Sequence, residues 1–333
     1  MRKVKWGVLG AARIASEKVI PAMQRGEASE IIALASRDSA KAREAAKRLG
    51  IARAHGSYEG LLADPDIEAV YNPLPNELHV PWTVRALEAG KHVLCEKPIA
   101  LDAKEARELI EARDRSGKLV AEAFMVRHHP QWRRAKELVD NGAIGPVHAI
   151  QTFFCYRLLD PSNVRNIPPG GGGLYDIGCY AVLTARYVFG AEPARVVGAM
   201  DRDPNFGTDR LFSALIEFPA ARHLTFTVGT QLAGHQRVTI AGEAGRIEIA
   251  IPFNAPPDRP TKILIDSGAD LFGGGAKVEE FPICDQYTLQ GDAFSRAILN
   301  NAKLAYPIED AIANMRVIDA LFRSAKSGSW ETP

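Results

Sequence analysis

Two side chains that can take part in proton transfer lie four residues apart behind a run of glycines. Residues 170–180 read GGGGLYDIGCY, which places Asp176 and Tyr180 in a stretch with a helical pattern. Residues at this spacing lie on one face of a helix, about one turn apart. A carboxylate there can orient a hydroxyl group and a phenol can exchange a proton. The same spacing also suits a pair that only supports the helix, and both interpretations stay open at this point.

A third candidate is Lys97, which precedes Pro98 in the segment CEKP at the end of a predicted strand. Proline restricts the residue before it to extended conformations and can adopt a cis bond, so the direction of Lys97 is constrained. An ammonium group in a ligand crevice can polarise a carbonyl or lower the pKa of a neighbouring hydroxyl. A lysine that serves only solubility is the alternative.

Alternating strands and helices in the first third of the chain position these groups. The short β-type runs are at 4–10, 30–36, 69–73, 91–96 and 118–124, and helical patterns lie between them at 38–50, 77–90 and 102–117. Such alternation predicts a parallel sheet built from right-handed βαβ units, in a doubly wound α/β domain.

From about residue 147 the pattern changes to β-rich runs in close succession, among them VHAIQTFFCY, LFSALIEF and RHLTFTVGT. The turn signals between them favour hairpins and a largely antiparallel sheet. Two helices are predicted at 286–301 and 308–326, and 271–279 is expected to be a loop. The predicted organisation is a dinucleotide-binding α/β domain at 1–123 and an α+β domain for substrate binding and dimerisation at 124–333.

The first strand–helix turn, at 10–15, reads GAARIA. It has the frame of the G-x-G-x-x-G motif, with alanine at the second and third glycine positions. In a doubly wound sheet this turn places helix-terminal N–H groups against a pyrophosphate, so Gly10, Ala12, Arg13 and Ile14 are cofactor-binding candidates. A purely structural turn is the alternative.

The end of the second strand indicates which dinucleotide is bound. It reads Ser36-Arg37, where an NAD-binding turn usually offers an acidic residue to the ribose. A hydroxyl and a guanidinium suit a 2′-phosphate, which favours NADP, with NAD also possible. Asp38 follows at once, and a solvated strand end in which it pairs with Arg37 is the alternative.

Two later turns also follow strands of the predicted sheet, outside whose carboxyl ends ligands bind. They add further cofactor-binding candidates: Pro73, Leu74, Asn76, His79, Glu96 and Lys97. Asn76 can equally be the N-cap of the next helix, and His79 can equally be a packed histidine.

The composition excludes several classes of function. The chain has 333 residues, 46% hydrophobic and 24% charged, as in an ordinary globular protein long enough for two domains. A net charge of +1 gives no electrostatic footprint for nucleic acid or an anionic membrane surface. No apolar run approaches the ~20 residues of a membrane helix. Four scattered cysteines, no metal-ligand spacing and no signal-peptide pattern predict reduced thiols, no metal site and a cytoplasmic protein.

Taken together, these residues resemble the Gfo/Idh/MocA oxidoreductase family. The resemblance extends over the whole chain and is carried by GAARIA, PNELH, AGKHVLCEKP, EAFMVRHHP and GGGGLYDIGCY, of which AGKHVLCEKP is the most specific. It implies an N-terminal Rossmann domain with a doubly wound parallel sheet. It also implies a C-terminal α+β domain whose large, mostly antiparallel open sheet covers the nicotinamide and mediates assembly into a homodimer or a dimer of dimers.

The resemblance further implies roles for the site residues. DIGCY is similar to the subgroup with a catalytic tyrosine, which includes glucose–fructose oxidoreductase, dimeric dihydrodiol dehydrogenase and NADP-dependent xylose dehydrogenase. Tyr180 would exchange the hydroxyl proton, Lys97 would stabilise its charge, and Asp176 would orient substrate hydroxyls. Arg127 and Arg165 would join them in binding the substrate.

The implied activity is NADP-dependent hydride transfer between the nicotinamide and a carbon of a sugar or polyol. Oxidation of a cyclic aldose to a lactone is the first expectation, and a trans-dihydrodiol or a sugar-derived dicarbonyl comes next. Two other functions occur on the same fold. A non-catalytic dinucleotide-binding sugar sensor would be favoured by loss of the lysine or the tyrosine, and NAD-dependent glycosidases lack the arrangement around Tyr180.

Overall fold

The computed structural model describes residues 2–333, which divide into two compact units. The first unit runs to Met125 and takes in Asp285–Met315, whereas the second consists of Val126–Cys284 and Arg316–Pro333. The sequence-based division placed everything after residue 123 in the second domain. The segment Asp285–Met315 therefore departs from that division.

Six parallel strands form the sheet of the first unit, in the order β3-β2-β1-β4-β5-β6. They are β1 Val4–Leu9, β2 Ser29–Ala35, β3 Arg53–His55, β4 Ala69–Asn72, β5 His92–Cys95 and β6 Val120–Glu122. The order reverses between β1 and β4, which is the switch point where doubly wound sheets bind their ligands. The predicted Rossmann sheet is confirmed.

The helices of this unit begin and end at signals that are visible in the sequence. Asp38 and Asp102 accept hydrogen bonds from first-turn amides, and Gly50 and Gly117 adopt φ values of 66° and 64° after the last turns. The helices are α1 Ile20–Gln24, which follows a π-helical turn at Ala15–Val19, then α2 Ser39–Leu49, α3 Tyr58–Leu62, α4 His79–Glu88, α5 Ala103–Ser116 and, late in the chain, α8 Gln286–Leu299.

Trp6 explains why α8 belongs to the first unit. This residue of β1 is fully buried, and its ring centroid lies 5.5 Å from that of Phe294. Its Nε1 donates a hydrogen bond of 3.0 Å to Ser295 Oγ, which also lies 2.9 Å from Ser29 Oγ. Burial of a large aromatic ring together with its N–H partner is a substantial stabilising contact. The last helix, α9 Ile308–Ser327, is divided between the units after Met315.

Eight strands form the sheet of the second unit, in the order β14-β13-β12-β11-β7-β10-β9-β8. Neighbouring strands are antiparallel except for the parallel pair β7 and β10. The strands are β7 Val147–Arg157, β8 Arg195–Arg202, β9 Asp209–Phe218, β10 Arg222–Gly229, β11 Gln231–Gly242, β12 Gly245–Ile249, β13 Thr261–Asp266 and β14 Ala276–Phe281. The predicted fold class is confirmed, although β14 takes in part of the stretch 271–279 that was expected to be a loop.

Two helices of this unit, α6 Pro130–Asp140 and α7 Cys179–Phe189, complete the secondary structure that bears on function. Within residues 2–333, no helix combines the length and the apolar character needed to cross a bilayer. In the same residues, no group of three or more His, Cys, Asp or Glu side chains is placed to hold a metal ion.

Candidate active site

The turn after β1 has the backbone geometry of a dinucleotide-binding turn. Gly10 adopts a φ of +86°, and a Cβ there would lie 3.1 Å from Leu74 Cδ2. Its amide donates to Ala35 O at 2.8 Å, so the ends of β1 and β2 lie side by side. Ala12 O accepts the Ser16 amide at 2.9 Å, and helical structure therefore begins directly after the turn. The first N–H groups of a helix that follows such a turn suit a pyrophosphate.

The end of β2 presents the residues predicted to bind a 2′-phosphate. Ser36 is half-buried, whereas Arg37 is exposed. The Asp38 carboxylate accepts hydrogen bonds from the amides of Lys41 and Ala40, which lower its pKa and cap α2. Capping of the helix thus accounts for Asp38 without a pair to Arg37. The neighbouring turn and strand end together fit a phosphorylated dinucleotide.

The turn after β4 is held by a buried histidine. Asn76 begins a 3₁₀ turn, Asn76–Leu78, and α4 begins only at His79, so Asn76 is not the N-cap of that helix. The His79 ring nitrogens lie 2.7 Å from Leu74 O and Pro98 O. Burial lowers the pKa of His79 to about 4, against the opposing effect of these hydrogen bonds. His79 therefore links the turns that carry Leu74 and Lys97, and its contact with the cofactor stays a prediction.

Lys97 follows β5 in a turn whose residues before and after it are held by hydrogen bonds to side chains of other strands. The peptide bond after it is cis, as the following proline allowed, and Lys97 itself is half-buried. On one side, Tyr71 donates a 2.5 Å hydrogen bond to Glu96. On the other, Glu122 accepts the Ile99 amide at 2.8 Å. Sequence reasoning missed Tyr71 and Glu122, because both lie on other strands and carry no local motif.

In the second unit, two side chains hold the carboxylate of Asp176. Tyr156 on β7 donates its hydroxyl hydrogen to Asp176 Oδ2 at 2.6 Å, and Arg165 Nε contacts the same oxygen at 3.1 Å. The negative charge of Asp176 raises the pKa of Arg165. Burial, followed by the charge of Asp176, raises the pKa of Tyr156, which therefore remains a neutral hydrogen-bond donor. The structure thus brings two predicted residues together and adds Tyr156.

Tyr180 lies in an aromatic pocket within the same unit. It is 5% exposed, and its ring centroid lies 6.1 Å from that of Phe154 and 5.2 Å from that of Phe253. Tyr180 also contributes, after Asp176 and Tyr156, to the raised pKa of Arg165, so the two groups interact electrostatically. Aromatic packing of this kind fixes the ring.

The glycine run allows backbone segments to approach closely in front of the helix. Gly172 has a φ of +118°, and a Cβ there would lie 1.9 Å from Asp209 Oδ1. A Cβ at Gly171 would lie 2.6 Å from Arg165 O. Side chains are therefore excluded where the loop of Arg165 passes the start of the π-helical turn Leu174–Gly178, which carries Asp176.

The remaining predicted substrate residue, Arg127, is buried in the 3₁₀ turn Met125–His128. Burial first, and then the charge of Arg127, lowers the pKa of His128 to about 4. The predicted role of Arg127 in substrate binding stays a prediction.

Family models match both parts of the chain. An oxidoreductase family model with an NAD-binding Rossmann fold matches residues 4–124, and a GFO/IDH/MocA C-terminal domain matches residues 132–248. Together the two matches cover more than half of the sequence. The first match includes the turn after β5 that carries Lys97, and the second includes the segment that carries Asp176 and Tyr180.

Individual relatives and solved structures extend over nearly the whole chain. An uncharacterized oxidoreductase of Rhizobium meliloti is 49% identical over all of both chains. D-xylose 1-dehydrogenase (NADP(+)) 2 of Haloferax volcanii is 36% identical over 97% of this chain and 98% of its own. A 3-ketoreductase from Actinomadura kijaniata, solved in complex with NADP and TDP-benzene, superimposes with a TM-score of 0.90 at 29% identity, over 97% of this chain and 98% of its own.

Proposed function

The chain belongs to the Gfo/Idh/MocA oxidoreductase family, and from that premise we propose that it is an NADP-dependent dehydrogenase of an aldose sugar. It oxidises the anomeric carbon of the cyclic sugar to a lactone. The observation that carries this proposal is the arrangement in the second unit. There, the packed phenol of Tyr180 follows by four residues a carboxylate that Tyr156 and Arg165 hold in place.

In this reaction Tyr180 accepts the proton of the anomeric hydroxyl as the oxidised carbon becomes a carbonyl. A free phenol has a pKa of about 10 and needs a nearby cation to serve as a base near neutral pH. Lys97 supplies an ammonium group for that purpose, and Arg165 adds to it. The Asp176 carboxylate accepts hydrogen bonds from sugar hydroxyls and so orients the ring. The nicotinamide, when bound, takes up the hydride from the same carbon.

NADP is proposed as the cofactor because of the strand ends in the first unit. Gly10 adopts a positive φ that residues with side chains rarely take, and the turn it forms suits a pyrophosphate. Ser36 and Arg37 offer a hydroxyl and a guanidinium for the 2′-phosphate, with which arginine can pair through two parallel hydrogen bonds. The NADP(+) specificity in the name of the Haloferax relative and the NADP in the Actinomadura complex support the same choice.

A second candidate is the reduction of a ketone on a sugar, which the likeness to the Actinomadura 3-ketoreductase favours. The same residues serve this reaction with Tyr180 donating the proton instead of accepting it. Oxidation of a trans-dihydrodiol requires the same groups and is the third possibility.

A substrate panel tests these proposals directly. Aldoses, polyols, trans-dihydrodiols and keto sugars are supplied with NADP or NADPH, and with NAD or NADH, and the reduced-nicotinamide absorbance is followed. We expect aldoses with NADP to give the highest kcat/KM and a lactone product. No absorbance change with any substrate, together with tight dinucleotide binding, would instead indicate a sensor. Hydrolysis of a glycoside without net absorbance change would indicate a glycosidase.

A further inference from the structure

Asp209 is a buried carboxyl group beneath the glycine run that the proposed mechanism leaves unused. It is the first residue of β9 and is 2% exposed. Its Oδ2 accepts the Leu174 amide at 2.6 Å, and a Cβ at Gly173 would lie 3.3 Å from the same oxygen. A Cβ at Gly172 would overlap Oδ1, so the glycine run and the carboxylate fit each other closely.

The hydrogen bond that Asp209 accepts is made where the helical segment that carries Asp176 begins. The π-helical turn Leu174–Gly178 continues directly into α7, which begins at Cys179 and contains Tyr180. The first amides of a helix lack partners within the helix, and a buried carboxyl oxygen that accepts one of them supplies the missing partner. Asp209 thus fixes the backbone two residues before Asp176, and it does so from a different strand.

We propose that Asp209 is a positioning residue, which holds the glycine run against β9 and thereby sets the placement of Asp176 and Tyr180. This inference rests on the proposed function insofar as those two residues act on the substrate. Asp209 acts through the backbone, because it is buried and its carboxyl group accepts the Leu174 amide. A displacement of about 1 Å in reacting groups can reduce turnover by about 100-fold, so loss of this anchor should be visible in catalysis.

The test compares Asp209→Asn and Asp209→Ala with the matched control Asp203→Asn. Asp203 is also buried, at 5% exposure, but its carboxylate accepts the amides of Asn205 and Phe206 in the turn between β8 and β9. Asparagine keeps the size of Asp209 and one acceptor oxygen, so this variant supplies the measurement if the alanine variant does not fold.

Two readouts separate positioning from general destabilisation. Amide hydrogen exchange of a peptide covering 170–180 should be at least about tenfold faster in both Asp209 variants and unchanged in Asp203→Asn, since opening of the helix start exposes these amides. The kcat/KM should fall roughly 10- to 100-fold in Asp209→Ala and less in Asp209→Asn, while the Kd of NADP stays within about twofold of wild type.

The two readouts also separate this inference from the proposed function. Absence of dehydrogenase activity in the wild-type protein overturns the proposed function, but the exchange experiment still decides whether Asp209 anchors the glycine run. If the 170–180 peptide exchanges at the wild-type rate in both Asp209 variants, the proposal that Asp209 anchors the glycine run is overturned. Faster exchange in an active enzyme whose kcat/KM is unchanged overturns the link from the anchor to catalysis.

Discussion

Tyr156 and Asp176 are joined by a 2.6 Å hydrogen bond to Oδ2, the same oxygen that Arg165 contacts. The phenol lies on β7, 20 residues earlier in the chain than the carboxylate. Two donors on a single oxygen, one of them cationic, restrain the rotation of the carboxyl group more than either alone. The orientation of Asp176 is therefore set by residues outside its own helix.

Tyr156→Phe should weaken sugar binding more than it slows chemistry. Removal of the phenol hydrogen bond leaves the Asp176 carboxylate less firmly oriented, so we expect the KM for the sugar to rise roughly tenfold while kcat changes by less than about threefold. Asp176→Asn should raise the KM at least as much. Steady-state kinetics with saturating NADP measures both effects.

Tyr306→Phe is the matched control for that prediction, since it removes a phenol oxygen from a turn of the first unit. It should leave both kinetic constants unchanged. An unaltered KM in Tyr156→Phe would show that Arg165 suffices to hold Asp176.

Tyr180→Phe should abolish most turnover without affecting cofactor affinity. The phenol is proposed to exchange a proton and not to hold the dinucleotide, so kcat should fall by roughly 10² to 10⁴, the usual size of a general acid–base contribution. In the oxidation direction, the wild-type rate should rise with pH through a group whose pKa is below the ~10 of a free phenol. This rise of the rate with pH should be absent in Tyr180→Phe. A fully active variant would return the Asp176–Tyr180 pair to a role in helix support.

Lys97→Met should be comparably damaging, because the ammonium group is proposed to make the phenol acidic enough to react. If the two residues act in one proton-transfer step, the double variant Lys97→Met/Tyr180→Phe should lose much less than the product of the two single losses. A double-mutant cycle on kcat measures this coupling. If the loss of kcat in the double variant equals the product of the two single losses, the two side chains act in separate steps.

Much of the first unit was predictable because its signals are local. Apolar strand runs, aspartate N-caps and glycines after the last helical turns placed β1, β2, α2 and α5 within a few residues of their observed bounds. The three-residue strand β3 and the five-residue helix α3 were missed, because elements of this length contain less than two periods of a hydrophobic pattern.

The candidate site was predictable only where a motif carried it. Asp176 and Tyr180 share one helical segment, so their spacing was informative. Tyr156, Asp209 and Glu122 were not identified, because their contacts depend on strand register and on chain crossings between distant segments. The sequence does not show what the glycine run contacts, and the structure shows it packed against Asp209 and the loop of Arg165.

Arg37→Asp should weaken NADP much more than NAD. Replacement of a charged contact to the 2′-phosphate by a repulsive one should raise the Kd of NADP at least about tenfold, whereas the Kd of NAD changes little. Arg48→Asp is the matched control, because it reverses an exposed charge in the last turn of α2. Equal losses for the two dinucleotides in a fluorescence titration would refute the assignment of Arg37.

The sheet of the second unit should form a homodimer through its groove-bearing face. A shallow groove there is lined in part by Phe153, Val197 and Leu215, which are half-buried in the protomer. Burial of a contiguous patch with apolar side chains against a second protomer is favourable. We expect light scattering to give at least twice the 36.2 kDa protomer mass at micromolar concentration, and Leu215→Arg to reduce it to one protomer. Val278→Arg, on the edge strand β14, should not. A wild-type monomer would contradict the prediction.

Asp209 should make the stability of the protein depend on pH in a defined direction. Burial raises its pKa from 3.8 to about 7, against the opposing hydrogen bond from Leu174 and the charge of Arg202. The folded protein therefore keeps this proton at pH values where the unfolded chain has lost it. The stability that Asp209 contributes is fully present below about pH 4 and is lost as the pH rises to about 7.

Comparison with Asp209→Asn isolates this contribution, because asparagine does not titrate. We compare the melting temperature of the wild type with that of the variant at pH 5 and at pH 8. The wild type should lose several degrees relative to the variant between these two pH values, because ionisation of the buried carboxyl destabilises only the wild type. Asp203→Asn should show a constant difference between the same two pH values. A hydrogen bond from Gln231 lowers the pKa of Asp203 from its usual 3.8, so that group is ionised at both. If the difference in melting temperature between the wild type and Asp209→Asn is also the same at both pH values, Asp209 is ionised throughout this range.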